Sequence, residues 1–231
     1  MANPNLPRSA AGDRNPWLIA VVLSIATFME VLDTTIANVA LRHIAGNLAA
    51  SQDESTWILT SYLVSNAIIL PISGWLANVI GRKRFYMICV ALFTVSSFLC
   101  AISQTLGMML VARVLQGIGG GGMAPTEQSM FADTFPVEKR AQAFALYGFT
   151  VVSAPAIGPV LGGWLTDNFS WHWVFLINLP VGALSLVLVA WLVTEPALLR
   201  QERQELLSKG FNVDYLGFML VTIGFGTLQI M

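Results

Sequence analysis

Charge is what this sequence has least of. It carries 12 Lys and Arg and 13 Asp and Glu in 231 residues, 11 % of the chain. An ordinary soluble domain carries about 25 %. Hydrophobic residues make up 55 %, so there is too little polar surface to coat a water-soluble globule. The same shortage of charge excludes a disordered chain. Net charge is −1, which gives no basic excess to hold nucleic acid. Cysteine is nearly absent. Cys89 and Cys100 fall in one apolar run, and along a helix they stand too far apart to bridge to each other. No nucleophile–base pair or metal-ligand spacing occurs, so neither an enzyme nor a resident cofactor or metal is expected.

The few charges are clustered. None falls in 55–81, 85–112, 141–166, 168–194 or 215–231. A membrane-spanning helix needs roughly 20 mostly apolar residues to cross about 30 Å of hydrocarbon. The runs are continuous rather than alternating, which predicts helices rather than barrel strands. With two further apolar stretches that hold charges, six complete spans are expected near 17–41, 56–79, 85–104, 107–131, 141–165 and 172–194. A seventh starts at about 213. Residues 1–16, rich in proline, are expected to be a disordered cytoplasmic tail without the features of a signal peptide. Residues 195–212 are expected to be a cytoplasmic linker, and 213–231 the truncated start of the seventh span.

Basic residues set the orientation. Arg8, Arg14, Arg82, Lys83, Arg84, Lys139, Arg140, Arg200, Arg203 and Lys209 all fall on one side of this span plan. The opposite loops hold Arg42 alone. The positive-inside rule then places the N-terminus in the cytoplasm.

Four ionisable residues interrupt the spans: Glu30 and Asp33 in the first, Arg113 and Glu127 in the fourth. A charge at mid-helix costs about 2.5–3.5 kcal/mol on insertion scales, so each needs a partner or a polar cavity. Glu30 and Asp33 lie three residues apart and share a helix face. Counting along each helix puts both acids and Arg113 at a similar depth. Two acids level with an arginine form a cluster able to hold or release a proton. Asp33 and Glu30 are therefore the candidate proton-coupling residues, and Arg113 the fixed counter-charge. Glu127 is expected at the cytoplasmic edge as an interfacial residue. His43 and His172 flank spans on the outer side and read as surface residues.

Glycine and proline concentrate in two places. Span four contains Gly117 and Gly119–Gly122, then Pro125. This matches G-x-G-x-x-G in form, but no strand precedes it, so it is not a dinucleotide site. Span five carries Ala154-Pro155-Ala156-Ile157-Gly158-Pro159-Val160-Leu161-Gly162-Gly163. Its small residues at 154, 158 and 162 form a strip for a neighbouring helix. The ending Gly74-Trp75-Leu76 of span two returns as Gly163-Trp164-Leu165 of span five, on the opposite membrane side. An inverted three-plus-three repeat leaves such an echo.

In this arrangement the chain resembles the major facilitator superfamily, and within it the fourteen-span drug/proton antiporters of the EmrB/QacA type, EmrB-like permeases above all. Leu32 to Leu41, with Asp33, resembles the first-helix signature. Gly74, Asn78, Gly81, Arg82, Lys83 and Arg84 resemble the cytoplasmic gating loop. Arg113-Val-Leu-Gln116-Gly117 resembles the fourth-helix motif. Pro155, Gly158, Pro159, Gly162 and Gly163 resemble the antiporter motif, and Trp171 to Gly182 the start of the sixth helix. Asn78 stands where the family's loop has an aspartate, so the latch that uses that charge is expected to be weaker or carried elsewhere.

The resemblance implies an all-α membrane protein: an N-terminal six-helix bundle of 3+3 inverted repeat plus the start of a seventh helix. It implies drug/H+ antiport of hydrophobic or amphiphilic compounds across a bacterial inner membrane by alternating access, driven by the proton gradient. The chain then reads as the N-terminal portion of such a permease. Implied partners are the lipid bilayer, a hydrophobic small molecule, and a membrane-fusion adaptor with an outer-membrane channel. A facilitator-type symporter and a non-transporting membrane fragment are the other readings.

Overall fold

The computed structural model describes residues 15–195, 197–208 and 215–230. The expected N-terminal tail lies almost wholly outside them. The described chain is helical: α1 Pro16–Asn47, α2 Gln52–Ile80, α3 Arg82–Ala101, α4 Leu106–Thr134, α5 Val137–Asn168, α6 His172–Leu176, α7 Asn178–Leu192, α8 Ala197–Ser208 and α9 Tyr215–Ile230.

Helix ends follow local chemistry. Asn15 caps α1 by accepting from the Trp17 amide at 3.0 Å, and Pro16 occupies the first turn, where its missing N–H costs nothing. Ser51 and Glu54 form a capping box on α2, which satisfies two amides that have no partner within the helix. Between α2 and α3 stands a single residue, Gly81, at φ 101, a conformation other residues rarely adopt. The sixth expected span is interrupted at Ile177, between α6 and α7. Pro180 has no N–H to return to the Leu176 carbonyl four residues earlier, and the helix restarts with proline in its first turn. Ile177 keeps helical torsions, so the two segments run on as one span, and Asn178 at the start of α7 is buried in the bundle.

Among the described residues, five helices are long and apolar enough to cross a membrane, with α6 and α7 taken as one. Helix α4, at 29 residues, is as long as α2 but less hydropathic. Arg113, Gln116, Glu127 and its glycines dilute it, and all of these side chains are buried. Helix α4 packs on both α2 and α3, while α1 packs mainly on α5 and then on α7; Met108, Val111 and Val114 of α4 remain exposed. Exchanging α1 with α4, α2 with α5 and α3 with the α6–α7 pair carries the contact α2–α4 into α5–α1. It likewise carries α3–α4 into α7–α1. This is the contact pattern of a 3+3 inverted repeat.

Small residues make these contacts possible. A Cβ on Gly119 would lie 2.7 Å from the Phe93 amide nitrogen of α3, so the two backbones could not approach this closely with any other residue there. On α5, a Cβ on Gly158 would lie 2.3 Å from Thr35 Oγ1 of α1. Ala154, Gly158 and Gly162 are buried along this seam. Pro155 and Pro159 face outward, and α5 runs through both without ending. The span-five motif is thus a tight seam.

Two apolar clusters fill the bundle. One holds α1 residues up to Met29 with Phe85, Tyr86, Phe93 and Phe131. The other holds α1 residues from Leu32 with Ile58, Met109 and Phe175. The ionisable residues near Glu30 and Asp33 lie where these clusters meet. Gly119→Ala is expected to destabilise the purified protein by about 1–3 kcal/mol, the cost of overpacking. Gly163→Ala meets nothing within 4 Å and should be neutral or stabilising by up to about 1 kcal/mol. Thermal unfolding in detergent compares them.

Candidate functional site

Asp33 and Arg113 meet. Arg113 Nη1 lies 2.7 Å from Asp33 Oδ2, and both side chains are wholly shielded from solvent. Gln116, one turn along α4, accepts from Arg113 Nη1 at 2.7 Å and donates to Asp33 Oδ1 at 3.0 Å. Asn178 of α7 donates to the same Oδ1 at 2.6 Å and to Ser97 Oγ of α3 at 2.8 Å. Ser97 in turn donates to the Phe175 carbonyl of α6. Arg113 Nε donates to the Ile58 carbonyl of α2 at 3.1 Å, and its guanidinium lies over the Tyr62 ring, 4.4 Å from the centroid. One ion pair therefore ties α1, α2, α3, α4, α6 and α7 together. Each group bonded to Asp33 is an obligate donor, a guanidinium or an amide NH₂. The cage is built for a carboxylate.

Glu30 stands apart from this pair. Its Oε1 accepts from Tyr62 Oη at 2.9 Å and from Asn66 Nδ2 at 3.2 Å, both on α2. No ion pair joins Glu30 to Arg113 among the described residues. Sequence spacing placed two acids and an arginine in one cluster. The helices instead give each acid its own partners, with Tyr62 shared between Glu30 and the arginine's π contact.

The expectation for Glu127 needs correction. It is fully buried, not interfacial. Ser24 Oγ donates to its Oε1 at 2.8 Å, and Thr27 Oγ1 to its Oε2. Depth counted along an isolated helix missed this, because α1 covers that part of α4. His172 lies against Trp171, and its ring nitrogen is 3.3 Å from Ser170 Oγ. The two cysteines are free and buried.

At the α2–α3 turn, Arg82 pairs with Asp133 near the end of α4. Lys83 donates to the Ala190 carbonyl at 2.8 Å. Arg203 of α8 reaches both carboxylate oxygens of Glu195 at 3.0 Å and packs against Gly81. Asn78, Gly81 and Arg82 share a small cavity with Glu195 and Arg203. Asn78 itself is exposed. Arg82 and Lys83 are thus held by Asp133 and by helix carbonyls.

Gln116, Asn178, Tyr62, Asn66, Ser24, Thr27 and Asp133 were not foreseen as site residues. The available signal was polarity inside charge-free runs: Tyr62, Asn66 and Asn178 interrupt stretches otherwise apolar. Hydroxyls and amides can satisfy themselves locally in a helix, so that signal is weak without a partner in view.

A bundle of several long apolar helices closed around a buried Asp–Arg pair is the architecture of a multi-pass membrane protein. Residues 23–229 match the family model of the Major Facilitator Superfamily, and the chain belongs to that family. It is 44 % identical over 214 residues to the multidrug export protein EmrB of Haemophilus influenzae, covering 93 % of this chain and 40 % of that protein. EmrB of Escherichia coli is 42 % identical with the same coverage. The fatty acid resistance protein FarB of Neisseria gonorrhoeae is 41 % identical over 92 % of this chain. The chain thus spans about 40 % of the length of these relatives. Among solved structures, an inward-facing, unoccupied bacterial homologue of the human lysosomal transporter Spinster has the same fold, at TM-score 0.60 and 22 % identity. The match covers 78 % of this chain and 44 % of that one.

Removing one partner of a buried ion pair costs about 3–5 kcal/mol, whereas replacing both with apolar residues is often neutral. Arg113→Met should therefore destabilise strongly, and Asp33→Leu/Arg113→Met should recover most of the loss. The Arg82–Asp133 pair is about a quarter exposed on each side, and its coupling in a double-mutant cycle should be at most about 1 kcal/mol. Thermal melts of the purified variants read both cycles.

Proposed function

We propose that this chain is the proton-coupling half of an exporter of hydrophobic or amphiphilic compounds, working by alternating access in a bacterial inner membrane with its N-terminus in the cytoplasm. The observation that carries the reading is the Asp33–Arg113 pair, enclosed by Gln116 and Asn178. It is buried and touches helices of both repeat halves. A proton arriving at Asp33 removes the charge that Arg113 and the two amides hold. The network then loses its centre, and the helices it ties gain freedom to repack.

Only a ligand with different affinity for two states can shift their balance. A proton meets that condition here, because it changes every bond to Asp33. Glu30, in its Tyr62–Asn66 nest one turn away, is the second coupling acid. The relatives' names, multidrug export and fatty acid resistance, fit a lipophilic substrate. A membrane-fusion adaptor with an outer-membrane channel is part of the same proposal. At the cytoplasmic turn, the Arg82–Asp133 pair and the Glu195–Arg203 pair take the part that the usual loop aspartate would play, since Asn78 can only hydrogen-bond.

The test is transport in proteoliposomes of the complete transporter that carries this chain, with an imposed pH gradient and a fluorescent lipophilic cation. Asp33→Asn should lower gradient-driven export to the leak rate. Glu30→Gln should alter the number of protons moved per substrate. Wild-type coupling in Asp33→Asn would overturn the role of Asp33, and gradient-driven uptake by the unmodified protein would make it a symporter.

A further inference from the structure

We propose that Glu127 is a proton-binding site of its own, on the cytoplasmic half of the α1–α4 seam and separate from the Asp33–Arg113 pair. Its partners differ in kind from those of Asp33. Asp33 faces a guanidinium and two amide NH₂ groups, and either amide would have to flip and give up its other bond, to Arg113 or Ser97, to accept an acid proton. Glu127 faces two hydroxyls, Ser24 and Thr27, and a hydroxyl both donates and accepts. Rotating two O–H bonds therefore lets one cage hold either the carboxylate or the carboxylic acid. No cation pairs with Glu127 among the described residues. A purely structural tie between α1 and α4 would need only an amide such as glutamine, without the cost of an ionisable group in the membrane.

Among the described residues no cation contacts Glu127, and Glu30 is the nearest other carboxyl. On α1, Glu30 lies one to two turns beyond Thr27 and Ser24, roughly 5–9 Å along the axis. Asp33 is one turn further and is taken by Arg113. On α3, Tyr86 and Cys89 stand on the same side, with the Tyr86 hydroxyl donating to the Leu23 carbonyl at 2.6 Å. Tyr62 of α2 is committed to Glu30. On α5, Tyr147 is the nearby titratable residue, and α7 has none. Arg82 and Asp133, at the inner end of α4, hold each other, and Arg140 of α5 donates to the Ala132 and Phe135 carbonyls there. Ser24 also lines a cavity of about 390 Å³ between α1, α5 and α7, with Phe28, Phe149 and Val181. The Ser24 hydroxyl stands between the carboxyl and that largely apolar cavity. With Glu30 and Asp33, Glu127 makes a line of three acids along one seam. The proton simply adds to a Glu127 carboxylate oxygen and leaves again, and no other bond changes.

The experiment is infrared difference spectroscopy of the protein in lipid bilayers, between neutral and strongly alkaline pH. At neutral pH the carbonyl band of a protonated carboxylic acid should be present and should fall by one carboxyl equivalent in Glu127→Gln. It should persist in Asp33→Asn. Ser24→Ala and Thr27→Val keep the acid but remove its hydroxyl partners, and each should shift the frequency of that band. These two variants also serve if Glu127→Gln does not fold. An unchanged acid band in Glu127→Gln, or one indifferent to both hydroxyl replacements, overturns the proposal. The reading requires no transport, so failure of the coupling role of Asp33 would leave this result standing, and the reverse holds too.

Discussion

An ion pair that no water can reach constrains the rest of this bundle. Asp33 and Arg113 are both fully buried, and a charge in that position is tolerated only when it is paired and hydrogen-bonded. Gln116 one turn along α4, Asn178 at the start of α7, the Ile58 carbonyl of α2 and the Tyr62 ring meet most of this demand, while Arg113 Nη2 has no hydrogen-bond partner. Polar bonding thus fixes helix rotations that the apolar clusters on either side would leave loosely specified.

Close packing supplies the second constraint. Arg113 can reach Ile58 and Asp33 only if α4 lies against α1 and α2 at backbone distance. The glycines of α4 and the small strip on α5 allow that approach, and in lipid such packing replaces the hydrophobic drive between helices. The same closeness makes the acids partners of particular hydroxyls and amides. Chemistry and packing are therefore one problem here: widen the seam and the charges lose their bonds.

Much of the fold was legible. Charge-free runs gave the positions of the long helices, since an apolar stretch of that length has few alternatives. The span-four and span-five motifs marked the close contacts. Asp33 and Arg113 were legible as a pair because each is an expensive residue in an apolar run. Glu30 and Glu127 were read less well. Helix spacing put Glu30 on the face of Asp33 without revealing that Tyr62 and Asn66 of α2 claim it. Counting residues placed Glu127 at an edge that α1 in fact covers.

Sequence alone determined that the chain is a multi-pass helical membrane protein with costly buried charges, because hydropathy and insertion cost are properties of residues along a line. It also carried the family resemblance in its motifs. Which acid meets the arginine, which meet only hydroxyls or amides, and that α4 packs on both α2 and α3 were decided by tertiary structure. Those facts depend on which helix faces lie against one another. The spacing of residues within one helix says nothing about the partner that another helix will bring.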